Sequence, residues 1–160
     1  MPAFAGLPLR DRSLSIEISA KAQQEAITQL ARHGLSKDAP YLLLNPWTSC
    51  QSRNYDQGRF AAATLELAEI TNSPVVVTGV AAFRDRSHSL IEALSPYAID
   101  LIGRTTLPQL AAMIANAKLV LTNNTSTMHL ADCYVCRHRV RVTVATTPRP
   151  IAAAPPTYPV

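Results

Sequence analysis

Lys118-Leu119-Val120-Leu121-Thr122-Asn123-Asn124-Thr125-Ser126-Thr127-Met128-His129-Leu130-Ala131-Asp132 is an apolar run that stops in small amide and hydroxyl residues and then continues into a helix-compatible stretch. Residues 118–122 read as a buried strand, and a helix is expected to begin near Ser126. The start of a helix offers unpaired backbone N–H groups and roughly half a positive charge. A strand that feeds such a start is suited to hold an anion. Thr125, Ser126 and Thr127 add hydroxyl donors, and His129 sits about one turn inside, where it can face the same anion. The same residues equally describe an ordinary capped helix.

Working outward, the rest of the chain repeats this alternation. Residues 41–45 form a short apolar run stopped by Pro46. Residues 57–71 place Phe60, Ala63, Leu67 and Ile70 at helical spacing behind Asp56, a candidate N-cap. Residues 74–78 are a β-branched run ended by Gly79, and residues 87–94 have a helical pattern broken by Ser95-Pro96. Residues 99–102 read as a short strand ended by Gly103. Thr106-Leu107-Pro108-Gln109 matches a capping box, and Leu110, Met113 and Ile114 continue one helical face. Ahead of all this, residues 19–33 read as a helix closed by Gly34.

Strand and helix in alternation, with buried-type strands, predict an α/β fold with a doubly wound parallel sheet. Four strands are expected, with a candidate fifth at residues 140–144. Arg139 and Arg141 punctuate an apolar alternation there, which suits an exposed edge rather than the middle of a sheet. The expected organisation is a lead-in with one helix over 1–39, the α/β domain over 40–136, and a basic, Pro-rich, poorly ordered tail over 137–160. Five of the 12 prolines fall between Pro148 and Pro159, and no glycine follows Gly103.

Apolar residues make up 48% of the 160 and charged residues 16%, a globular rather than a disordered composition. The net charge of +4 resides entirely in Arg137, Arg139, Arg141 and Arg149, and the first 136 residues are balanced. A nucleic-acid partner, which would need a basic stripe on a folded face, is therefore not expected. No apolar run reaches the ~18–20 residues of a membrane helix, and the N-terminus lacks the pattern of a signal peptide. A cytoplasmic protein is the expectation. Cys50, Cys133 and Cys136 do not make a disulfide framework. His129, Cys133, Cys136 and His138 hold four potential zinc ligands within ten residues, but a single CxxC is a weak signal, and an incidental match is the expected reading.

In doubly wound sheets ligands bind beyond the C-terminal ends of the strands. Four loops meet that description: 46–55, 79–86, 103–106 and 123–129. The first carries Thr48, Ser49 and Arg53, and the guanidinium can make bidentate bonds to phosphate or remain a solvated surface group. The second carries Arg84, Asp85 and Arg86, read as a solvated charge cluster in preference to a site. The third, Gly103-Arg104-Thr105, is small enough for a flat base to approach the backbone, or is a simple turn. No GxGxxG, GxxxxGK[ST], HExxH or GxSxG motif is present, which argues against a dinucleotide fingerprint, a P-loop and a serine hydrolase.

Over residues 40–132 these segments together resemble glycosyltransferase family 9, the lipopolysaccharide heptosyltransferase group, and specifically its C-terminal domain. Asn124-Thr125-Ser126-Thr127-Met128-His129-Leu130-Ala131 matches the family's Asp-Thr-Gly-x-x-His-Leu-Ala segment. Residues 100–114, Val75-Val76-Val77-Thr78-Gly79, and Asn45-Pro46-Trp47-Thr48-Ser49 with Arg53 and Tyr55 resemble three further family stretches in the same order. The resemblance implies the Rossmann-like C-terminal half of a GT-B fold, which binds a nucleotide-sugar donor, typically ADP-heptose. It implies that Asn124, Thr125, Ser126 and His129 lie near the diphosphate and sugar. It places Thr48, Ser49 and Arg53 on the phosphates, and Gly103 and Thr105 beside the base. No cofactor and no metal are expected, since cationic side chains and a helix N-terminus take the metal's role.

Two substitutions set this chain apart. The family's Asp is Asn124, which removes a negative charge, and its Gly is Ser126, which adds a Cβ where backbone approaches phosphate. The family's acidic residue after the second strand has its nearest counterpart in Asp85. The N-terminal domain that takes the glycan or lipid-linked acceptor, and the general base expected with it, have no counterpart in the sequence. Residues beyond Cys133 do not follow the family pattern. The reading is therefore of a truncated donor-binding domain, with no sugar transfer expected from this chain alone. The alternatives are a non-catalytic nucleotide-binding module, an inactive remnant, and a metal-binding regulator built on Cys133 and Cys136.

Overall fold

A computed structural model describes residues 16–50, 53–138 and 141–145. The chain runs α1 (Ala20–Ala31), β1 (Leu42–Asn45), α2 (Gln57–Thr71), β2 (Val75–Val77), two short 3-10 turns (Ala81–Phe83 and Asp85–Ser87), α3 (His88–Ala93), β3 (Ala98–Asp100), α4 (Leu107–Asn116), β4 (Leu119–Asn123), α5 (Ser126–His138) and β5 (Arg141–Ala145). All strand pairs are parallel, in the order β3-β2-β1-β4-β5. The expected α/β doubly wound sheet is thus present, with β5 as the fifth strand and at an edge.

Side-chain alternation along each strand divides the core into two layers. Leu42 and Leu44 of β1, Val75 and Val77 of β2, and Leu121 of β4 pack on one face against Phe60, Ala61 and Ala68 of α2 and Leu90 of α3. Leu43, Val76 and Val120 point to the other face, where α1, α4 and α5 cover them with Leu30, Met113, Ile114 and Ala131. A strand covered on both sides must be apolar at every position, which is why Leu42-Leu43-Leu44 shows no alternation in its sequence. Full burial of each of these leucines is worth about 1.5–3 kcal/mol.

Helix ends follow their local chemistry. Asp56 caps α2 by accepting from Arg59 N–H at 2.9 Å. Thr106 and Gln109 form both bonds of the capping box that opens α4. Asn72 ends α2 in the left-handed region, with φ of 45°. The helix of the expected 1–39 lead-in, α1, shares a hydrophobic cluster with α4 and is tied to it by Gln109 Nε2 donating to Glu25 at 2.9 Å. Within the expected 137–160 tail, Arg141–Ala145 pair with β4. Residues 1–15 and 146–160 lie outside the described residues. Among the described residues no helix is long and apolar enough to cross a membrane.

Tyr41 closes the end of α4. It is buried, and its hydroxyl donates at 2.6 Å to the carbonyl of Met113 in the last turn of α4. Burial holds the phenol's pKa well above its ordinary 10.0. Up to that pH the group is protonated in both the folded and unfolded chain, and its contribution to stability is complete. At higher pH the unfolded chain ionises while the folded chain does not, so stability falls. Tyr41→Phe is expected to cost about 1–2 kcal/mol at neutral pH by leaving that carbonyl unpaired. The variant should also show a shallower loss above pH ~10, which denaturant melts of both proteins between about pH 7 and pH 11 would measure.

Candidate functional site

From β1 the chain leaves toward α2 on one face of the sheet, and from the neighbouring β4 it leaves toward α5 on the other. Two loops that diverge in this way open a crevice at the C-terminal ends of their strands. A cavity of about 790 Å³ occupies it, lined by the loops after β1, β2, β3 and β4. All nine residues singled out from the sequence line this one cavity: Thr48, Ser49, Arg53, Gly103, Thr105, Asn124, Thr125, Ser126 and His129. Among the described residues its lining holds one arginine and one histidine and no carboxylate, so its charge suits an anion.

The loop after β1 is folded by its own polar groups. The Thr48 hydroxyl donates to the carbonyl of Cys50 and accepts from Cys50 N–H at 3.1 Å, while Thr48 N–H donates to Asn54 Oδ1 at 2.8 Å. Thr48 is buried, and its donors are used inside the loop. It therefore shapes the turn, while the exposed Ser49 and Arg53 are presented to the cavity. Arg53 N–H also bonds to Cys50 O at 3.0 Å, which fixes the backbone from which the guanidinium projects.

At the start of α5 the hydroxyl of Thr125 accepts from Thr127 N–H at 3.1 Å, and Thr125 O accepts from Met128 N–H at 3.1 Å. Thr125 is thus an N-cap. Two N–H groups of the first turn are already paired, and the side chains left facing the cavity are those of Asn124, Ser126 and His129, all exposed. Cys133 is buried, and its thiol donates to His129 O at 3.2 Å. The side chains of Cys136 and His138 lie outside the described residues.

Gly103 does something its sequence context did not announce. Its φ is +67°, and a Cβ there would lie 2.7 Å from both Cα and Cβ of Ala81. Gly103 N–H donates to Gly79 O at 2.7 Å. The space a side chain would fill is therefore taken by the loop after β2, and the glycine lets two loops of the cavity wall touch. The charge cluster of that loop is not simply solvated. Arg84 pairs with Asp100 at 3.2 Å and also donates to Ile102 O, and the Arg86 guanidinium lies 5.3 Å above the Trp47 ring and 5.0 Å from that of Phe83. Both arginines are committed to the wall rather than to its contents.

Several residues in or behind the cavity wall lie outside the nine expected from the sequence. Trp47, nearly buried, donates from Nε1 to Ser87 Oγ at 2.6 Å, and Ser87 in turn donates to Phe83 O at 2.6 Å. Val80 and Leu107 are exposed apolar residues at the cavity. Asn45 and Asn123, the last residues of β1 and β4, are buried amides. Asn45 Nδ2 donates to Thr127 Oγ1 at 2.8 Å. Asn123 Nδ2 donates to Pro46 O at 2.6 Å, and its Oδ1 accepts from Tyr55 N–H at 3.1 Å. A buried amide that ends an apolar run is a detectable signal, because such a group must be satisfied on both of its edges.

The family model described as glycosyltransferase family 9 (heptosyltransferase) matches residues 2–138. Among solved structures, the chain is similar to a family 9 glycosyl transferase from Veillonella parvula, with a TM-score of 0.75, 17% identity, and coverage of 88% of this chain and 45% of that one. It is similar to the Escherichia coli ADP-heptose lps heptosyltransferase II, with a TM-score of 0.63, 20% identity, and coverage of 81% and 44%. It is also similar to the E. coli heptosyltransferase WaaC with ADP-2-deoxy-2-fluoro heptose, with a TM-score of 0.54, 15% identity, and coverage of 79% and 41%. At these identities the likeness is one of fold, and the chain spans less than half the length of each. No curated protein matches it.

Proposed function

The chain belongs to glycosyltransferase family 9 (heptosyltransferase), and on that premise we propose that its crevice is a donor site for a nucleoside diphosphate sugar, of the ADP-heptose type. The reaction it would serve is inverting transfer of the sugar to a lipopolysaccharide-type acceptor hydroxyl, in the cytoplasm, with a second domain facing the crevice. The observation that carries the proposal is the convergence of nine residues, from the loops after β1, β3 and β4, on one cavity whose described lining holds Arg53 and His129 and no carboxylate.

In this reading the diphosphate lies between Arg53 and the start of α5. As the bond from the anomeric carbon to the donor phosphate breaks, negative charge grows on the leaving diphosphate. The Arg53 guanidinium, the Ser49 and Ser126 hydroxyls and His129 would offset that charge. Asn124 supplies an amide where the family has a carboxylate, so it donates and accepts hydrogen bonds at the sugar without a charge. Among its described residues the lining has no carboxylate, and in this reading the charge balance falls to these side chains. No residue of the described lining is assigned as general base to the acceptor.

Calorimetry with ADP and ADP-sugars tests this. Binding in the micromolar range is expected, and absence of binding at millimolar ligand would overturn the donor-site reading and leave an inactive remnant. Arg53→Ala is expected to weaken ADP by roughly 10- to 100-fold, the effect of one charge-assisted contact to phosphate, with little change in melting temperature because the side chain is exposed.

A further inference from the structure

Each of the two central strands ends in an asparagine whose side chain crosses into the other strand's loop. Asn45, at the end of β1, reaches Thr127 in the first turn of α5, at 2.8 Å. Asn123, at the end of β4, reaches the loop after β1 at both of its ends, bonding to the Pro46 carbonyl at 2.6 Å and to the Tyr55 N–H at 3.1 Å. One amide therefore closes the base of the loop that carries Ser49 and Arg53, and the other holds the helix that carries Ser126 and His129. The strands beneath are in register, with Asn45 opposite Thr122. All three side chains, Asn45, Asn123 and Thr127, are buried.

We infer that Asn45, Asn123 and Thr127 are positioning residues, a crossed pair of amide bonds that sets the separation between the Arg53 loop and the α5 N-terminus and so the fit of a diphosphate between them. The inference rests on the donor-site reading. An amide is required at Asn123 because it must donate to a carbonyl and accept from an N–H at once. Aspartate would lack the donor, and leucine would lack both. These bonds lie across the seam between β1 and β4, where the two loops diverge and the backbone ladder has ended, so no main-chain pairing replaces them.

The test separates geometry from stability by comparing two ligands. Thr127→Val keeps the shape of the side chain and removes the acceptor for Asn45. ADP spans the seam, whereas adenosine carries no phosphate to place there. The variant is expected to bind ADP roughly 10- to 100-fold more weakly, the scale of a misplaced charged contact, with adenosine affinity unchanged. Thr127→Ser, which retains the hydroxyl, should restore ADP binding. A purely structural role would lower the melting temperature and leave both affinities of the folded protein intact, and that result overturns the inference while the donor-site reading stands. Equal weakening of ADP and adenosine overturns it as well. If the unsubstituted chain binds no ADP, the donor-site reading fails and the inference falls with it. Should Thr127→Val fail to fold, Asn45→Leu measured against the same two ligands removes the same bond from its other end.

Discussion

Alanine at Gly103 is expected to destabilise the fold by about 2–5 kcal/mol. Two independent costs combine. A φ of +67° places an L residue in the left-handed region, which costs about 1–2 kcal/mol. The new Cβ would then lie 2.7 Å from backbone and side-chain carbons of Ala81, and overpacking of this kind costs about 1–3 kcal/mol. No rotamer change relieves the contact, because its nearest partner is a Cα atom. The loops after β2 and β3 would have to separate, and the bond from Gly103 N–H to Gly79 O would lengthen. In a chain of this size the melting temperature should fall by roughly 5–15 °C. Gly34 provides the control. Its φ is +82°, but a Cβ there meets nothing within 4 Å, so Gly34→Ala should show the conformational cost alone, about 1–2 kcal/mol. Equal losses at the two positions would mean that the loop contact at Gly103 yields without cost.

Removal of the Trp47 side chain should be larger still, about 3–5 kcal/mol for Trp47→Ala. The indole is 9% exposed. It donates to Ser87, lies 6.0 Å from the Phe83 ring at 42°, and carries the Arg86 guanidinium over its face. The substitution empties the space between the loops after β1 and β2 and leaves Arg86 without its Trp47 partner. Trp47→Phe keeps most of the burial and loses the Nε1 bond, so it should cost only about 1–2 kcal/mol. Denaturant unfolding of the three proteins checks the ordering, and a cost below about 1 kcal/mol for Trp47→Ala would show that the loops close over the gap.

The sheet was legible because its strands are buried on both sides and its helices begin with recognisable caps, at Asp56 and at Thr106 with Gln109. The strand whose C-terminal limit moved furthest shows what such patterns miss. Residues 99–102 read as a strand ended by Gly103, yet β3 is Ala98–Asp100. The Asp100 carboxylate accepts from Ile102 N–H at 2.9 Å and turns the chain before the apolar residues run out. Leu101 and Ile102 are buried, but in two different layers of the core. Strand order was not legible at all, since the pairing of β4 with β1 depends on contacts more than 70 residues apart in sequence.

The site divided in the same way. Hydroxyl and cationic residues in loops after strands announce themselves by type, and all of those chosen reached the cavity. The partners of Trp47, Phe83 and the paired asparagines were not legible, because they are set by what the fold brings against each side chain. Thr48 illustrates the converse. Its type suggested a phosphate donor, and its surroundings spend the hydroxyl on Cys50.

Trp47 is the only tryptophan among the 160 residues, and it stands in the wall of the cavity. All indole emission from this protein therefore originates at one point, beside the groups a ligand would touch. Fluorescence intensity and wavelength can be followed without a label, and occupancy of the crevice, displacement of Arg86 from the ring and loss of the fold would each register as a change in the same signal.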